Sequence, residues 1–189
     1  MSKDRKQIIL QSLAKLLEER DATKVTTASL AKESCITEAA LYRHFPSKRS
    51  IFLELFKFCD ETIFHKVGEI KKEGIGSDEK IRLIFFFFVI FLEKNKGFAR
   101  ILSREALGPN EKNVIDAVNQ FYERLELSMK QILTSHKENL QLTPGISSHL
   151  ITSIMEGIIS RFIRNGFKEM PSGYIENYWS LLSRSLFKN

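Results

Sequence analysis

The sequence predicts an all-α protein with a small N-terminal head and a larger helical body. Three observations carry this. Apolar residues recur at three- and four-residue spacing over most of the chain, the mark of helices with one buried face. Only 9 Gly and 4 Pro are spread through 189 residues, and they fall between the periodic stretches. Alternating β-branched runs are nearly absent, while 43% hydrophobic residues with 15 Phe suffice for a sizeable core.

The elements follow in order. Ile9, Leu13, Leu16 and Leu17 share one face of a first helix over residues 4–20, and Asp21–Lys24 makes the connection. Thr26 or Thr27 caps a second helix, and Thr37 caps a third with Glu38 behind it. Cys35 stands in the turn between them, where positive φ normally favours glycine. Pro46-Ser47 ends the third helix and opens a long fourth at 47–72. Gly74-Ile-Gly-Ser-Asp78 breaks that helix. A fifth helix is expected at 77–95, and its run Ile81–Leu92, apolar all round, predicts a fully buried helix. A sixth follows at 96–107. Gly108-Pro109-Asn110 separates it from a seventh at 111–138. Leu142-Thr-Pro-Gly145 precedes an eighth at 146–168, and Met170-Pro-Ser-Gly173 a ninth at 173–187. Residues 1–50 form the head and 51–189 the body, with helix four bridging them.

Charge is unevenly placed. The first 50 residues carry ten Lys or Arg against six acids, giving +4 of a total of +6. A basic head on a nearly balanced body fits a polyanion, and equally a solvated lysine-rich helix face. Lys3, Arg5 and Lys6 form a basic arm that can reach a phosphate backbone or minor groove.

The most informative stretch is Thr37-Glu-Ala-Ala-Leu-Tyr-Arg-His-Phe-Pro-Ser-Lys48. Two short helices around a tight turn, the second with small and basic side chains, suit a DNA major groove. Ala39 and Ala40 let the backbone approach and can meet thymine methyls, while Arg43 can bond a guanine or a phosphate. Thr27, Thr37 and Lys48 are phosphate-holding groups. Phe45 reads as core and Tyr42 as surface. His44 has no histidine near it in sequence, which favours a phosphate contact over a metal ligand.

On these residues, 8–66 resemble the DNA-binding half of the TetR family of helix-turn-helix regulators. The run Glu38–Lys48 is similar to one branch of it, the SlmA nucleoid occlusion factors. Glu156-Gly-Ile-Ile-Ser-Arg-Phe-Ile-Arg164, with Phe167, Lys168 and Pro171, resembles the same branch. The resemblance implies a TetR-like fold and a homodimer on palindromic double-stranded DNA. It places Thr27, Thr37, Ala39, Ala40, Tyr42, Arg43, His44 and Lys48 toward the duplex. It further implies that Phe58, Lys66, Phe87, Lys94 and Asn95 bind the C-terminal tail of FtsZ, so that the protein inhibits FtsZ ring assembly over the nucleoid. Ile90 departs from the branch, which has glycine there. Ile158, Ile159, Phe162, Ile163, Trp179 and Leu182 are implied at the dimer interface. A ligand-responsive TetR-type repressor, with an inducer among the body's phenylalanines, is the alternative reading. A nucleoid protein without sequence preference is a third.

Other chemistries find no footing. Cys35 and Cys59 lack CxxC spacing, which argues against a zinc site or redox pair and leaves reduced thiols as the expectation, with a redox switch at Cys35 as the lesser alternative. No phosphate loop, nucleophile elbow or paired histidine motif is present, so neither an enzyme nor a cofactor or metal is expected. The N-terminus has no apolar segment of the signal-peptide kind. Leu83–Leu92 is too short to span a bilayer. A cytoplasmic, nucleoid-associated protein is expected.

Overall fold

The structure is a computed structural model that describes residues 2–19, 25–108 and 111–188, with side chains from residue 4. Nine α-helices occur among the described residues: α1 Ser2–Glu18, α2 Thr27–Glu33, α3 Glu38–His44, α4 Lys48–Lys72, α5 Ser77–Lys94, α6 Lys96–Leu102, α7 Lys112–Thr134, α8 Pro144–Arg164 and α9 Ile175–Leu186. The Asp21–Lys24 connection and Pro109-Asn110 lie outside the described residues.

Local chemistry sets the ends. Thr26 and Ser29 form a capping box at α2, each side chain bonded to the other's backbone N–H. Ser47 and Ser50 repeat the arrangement ahead of α4. Two helices are more than a turn shorter than the sequence pattern predicted. α6 stops at Leu102 and is followed by Arg104 at φ 63°, and α7 stops at Thr134 before a 3-10 turn at Lys137–Asn139. α8 begins two residues early, because Thr143 caps it and Pro144 takes its first position. It ends at Arg164, where Gly166 and Phe167 turn left-handed and bond back to Ile163 and Phe162. Arg5 and Lys6 of the basic arm belong to α1, as the expected first helix has them, and Lys6 Nζ lies 5.3 Å from the Phe45 ring centroid.

Packing divides the chain into two compact units, Met1–Asp60 with Asn95–Val118, and Glu61–Lys94 with Asn119–Asn189. In the first, α6 packs on α1 as well as α1 on α2 and α3. Gly97 makes the α1–α6 approach possible. A Cβ there would lie 2.5 Å from the Ala14 carbonyl oxygen and 3.1 Å from Leu17 Cβ.

The second unit is built on aromatic contacts. Phe88 stacks on Phe121 with centroids 6.0 Å apart, and Phe85 meets Trp179 at the same distance. α5 packs on α8, α9 and the Pro171–Gly173 turn. It is not buried all round. Ile81, Ile84, Phe85, Phe88, Val89 and Leu92 are buried, whereas Phe86, Phe87, Ile90 and Phe91 are half-buried. One side is covered more fully than the other, a property that apolar composition does not encode. Among the described residues, an isolated antiparallel bridge pairs Leu140 with Phe187, flanked by bonds from Gln141 N to Leu186 O and Lys188 N to Asn139 O.

Candidate nucleic-acid interface

The reading head is a capped, rigidly turned helix pair. Leu30, Ala31 and Leu41 are buried where α2 and α3 pack. Between them the chain closes through Cys35 N to Lys32 O and Ile36 N to Ala31 O, with Cys35 at φ 52°. The turn therefore does demand the left-handed region that glycine adopts freely, and this chain fills it with a cysteine.

On α3, Thr37 Oγ accepts from Ala40 N–H at 3.1 Å, which satisfies an orphan donor of the first turn. Thr37, Ala39, Tyr42 and Arg43 are exposed, and Ala40 and His44 are half-buried. Phe45 is buried at the C-cap. The outward side of this short helix thus carries a hydroxyl, a methyl, a phenol and a guanidinium. That set can hold phosphates and touch base edges without large side chains in the way.

Two of the expected phosphate groups are already engaged. The half-buried Thr27 donates its hydroxyl to Glu38 Oε2 at 2.7 Å. Lys48 Nζ lies 3.5 Å from Glu111 Oε1 and 5.2 Å from the Phe52 ring centroid. Glu111 is buried, and its other carboxylate oxygen accepts from Gly108 N–H at 2.9 Å. Sequence reasoning missed Glu111, since no local pattern places it beside the start of α4.

Residues 9–55 match the model for bacterial regulatory proteins of the tetR family, and residues 77–187 match the SlmA-like model of the tetracyclin repressor-like C-terminal domain. The nucleoid occlusion factor SlmA of Vibrio cholerae serotype O1 is 37% identical over 188 residues, covering 97% of this chain and 96% of that one. The chain belongs to the SlmA family.

SlmA of Pectobacterium carotovorum subsp. carotovorum is 34% identical over equal coverage. Solved structures agree on the fold. The regulator FadR from Bacillus subtilis, solved in complex with stearoyl-CoA, has a TM-score of 0.77 at 16% identity, covering 95% of this chain and 98% of its own. FadR from Bacillus halodurans reaches 0.80 at 15% identity, with 94% of each chain covered. As a member of the SlmA family within the TetR regulators, the protein is a nucleoid occlusion factor with a DNA-binding head, not an enzyme. No helix among the described residues is long and apolar enough to cross a membrane.

The residues expected to bind a partner sit as follows. Phe58 on α4 is 64% exposed. Lys66, further along α4, pairs with Glu69 at 3.0 Å, and the bonded ammonium holds the Glu69 carboxyl below its ordinary range. On α5, Phe87 is half-buried against Phe91, with centroids 5.7 Å apart, and Lys94 is exposed one turn beyond Ile90. Phe87, Ile90, Phe91 and Lys94 share one face of α5 by their three- and four-residue spacing. Asn95 is half-buried and holds the N-cap position of α6.

The residues expected at the dimer interface lie inward. Ile158, Ile159, Phe162, Ile163, Trp179 and Leu182 are all buried within the single chain. The side of α8 and α9 left to solvent presents Ser153, Gly157, Ser160, Tyr178 and Leu181 instead. The apolar face of each helix packs into the protomer's own core.

Proposed function

We propose that the protein is a cytoplasmic, nucleoid-associated homodimer that binds palindromic double-stranded DNA through α3 and, while bound, inhibits FtsZ ring assembly over the chromosome. The single observation that carries this reading is the capped α3 with Thr37, Ala39, Tyr42 and Arg43 outward, on a chain related to SlmA over nearly its whole length.

Thr37 and His44 hold phosphates, Ala39 and Ala40 meet thymine methyls, and Arg43 takes a guanine edge or a phosphate. Tyr42, with its phenol outward, adds a further phosphate contact. Lys48 joins them once released from Glu111. The FtsZ C-terminal tail is held by Phe58 and Phe87 as apolar anchors, with Lys66, Lys94 and Asn95 as polar contacts, in the manner of a short amphipathic peptide. Ile90 extends the apolar stripe between Phe87 and Lys94 in place of the glycine of the SlmA pattern. The second half-site comes from a dimer joined through the exposed small side of α8, Gly157 and Ser160, together with Tyr178 and Leu181 of α9. Ring-to-ring packing of Phe85, Phe88, Phe121 and Trp179 supports a filled body over an inducer pocket.

The deciding experiment is a DNA-dependent pull-down of FtsZ with wild-type, Phe58→Ala and Lys94→Glu proteins. Wild type retains FtsZ only with the duplex present, and both variants lose FtsZ while still shifting the duplex. Retention by both variants, or none by wild type on DNA, refutes the FtsZ reading.

A further inference from the structure

Lys48, the first residue of α4, is one of the cations expected on the DNA backbone, yet it faces a carboxylate of its own chain. Glu111 Oε1 lies 3.5 Å from Lys48 Nζ, longer than the usual 2.7–2.9 Å of a tight charge-assisted hydrogen bond. The Lys48 side chain keeps 29% of its surface in solvent, against 8% for Glu111. The two partners therefore differ in freedom. Glu111 is fixed, because Oε2 takes the Gly108 N–H at 2.9 Å. Gly108 also leaves it room, since a Cβ at that position would stand 3.1 Å from the same oxygen. Lys48 lies along the Phe52 ring and can swing outward without leaving Glu111 bare of hydrogen bonds.

We propose that Glu111 is an internal counterion that competes with the DNA backbone for Lys48. The inference rests on the DNA-binding role given to the head. In the free protein the carboxylate neutralises this lysine, so the duplex gains the contact only by displacing it. Glu111 is thereby a positioning residue for DNA affinity, acting through Lys48 and touching no nucleotide. Phosphate binding by a cation releases condensed counterions, so each such contact appears as about 0.9 in the slope of log affinity against log salt. A merely structural Glu111 would leave that slope alone.

The experiment is a salt titration of binding to a palindromic duplex selected by the wild-type protein, read by fluorescence anisotropy. Wild type, Glu111→Gln, Lys48→Gln and the double variant are compared. Glu111→Gln keeps the shape and the acceptor for Gly108 while removing the charge. Its affinity at low salt should rise about five- to tenfold, with a slope steeper by up to about 0.9. The double variant should return to the slope of Lys48→Gln. Should Glu111→Gln unfold, Glu111→Asp keeps the charge but withdraws it from Lys48, and a smaller rise is expected. An unchanged slope in the folded variant, or a gain that persists without Lys48, overturns the inference while the DNA reading stands. Failure of the wild type to bind any duplex overturns both.

Discussion

Thr27 Oγ1 donates to Glu38 Oε2 at 2.7 Å, joining the first turn of α2 to the first turn of α3. A threonine hydroxyl has one proton, so Thr27 cannot donate to a phosphate while this bond stands. Thr37 differs, because its oxygen accepts from Ala40 and its proton remains available for DNA.

Thr37→Ala should therefore cost about 1 kcal/mol of stability through the lost cap, and weaken DNA binding as well. Thr37→Ser should restore both. Urea denaturation and anisotropy on the same samples check the pair, and a loss of binding with no change in stability would contradict the cap.

Cys35→Gly should stabilise the head by about 1 kcal/mol, because a side chain at φ 52° carries a left-handed penalty that glycine lacks. A rise in the denaturation midpoint at unchanged slope is the expected result. Destabilisation would mean that the thiol makes a compensating contact.

The two thiols should react very differently. Cys35 is exposed, while burial pushes the Cys59 thiol up to about 12 from its ordinary 9.0. One thiol per folded chain should take up a maleimide at neutral pH, and two once the chain is denatured. The unfolded Cys59 ionises near 9 and the folded one near 12. Its contribution to stability is thus full below pH 9 and lost as the pH rises through that window.

Gly97→Ala should destabilise the protein by about 1–3 kcal/mol, since the new methyl presses on the Ala14 carbonyl and α1 must move away from α6. Thermal unfolding by circular dichroism reads it. A neutral result would show that α6 can slide on α1.

Gly157 has nothing within 4 Å of an added Cβ, so Gly157→Arg should leave the protomer folded. If that side of α8 meets a second copy, the variant becomes monomeric by analytical ultracentrifugation and loses affinity for a palindromic duplex. A dimer of unchanged strength would move the interface elsewhere.

Much of the helix map was legible in the sequence because its punctuation is chemical. Thr26, Thr37, Thr143 and the Ser47–Ser50 pair each mark a helix start by a hydrogen bond made within three residues. The left-handed turn at Cys35 was legible for the same reason. What could not be read depends on neighbours far along the chain. Ile158 and Trp179 look the same in sequence whether they face their own core or a partner, and only packing buries them in the protomer. The phenylalanine run of α5 likewise gives no count of the helices that cover it. Lys48 and Glu111 are 63 positions apart, and no local pattern pairs them.

The short bridge between Leu140 and Phe187 closes a loop of chain that contains α8 and α9. Ends of helices normally fray first, yet here Gln141 and Lys188 donate their amides to Leu186 and Asn139, at 2.9 and 2.8 Å. Gln141 also gives its side-chain amide to Arg184 and Phe187. The final turn of α9 is thus latched to the segment that precedes α8. Slow deuterium uptake at these two amides would report the intactness of the whole helical pair, a pair of sensors set by two backbone bonds.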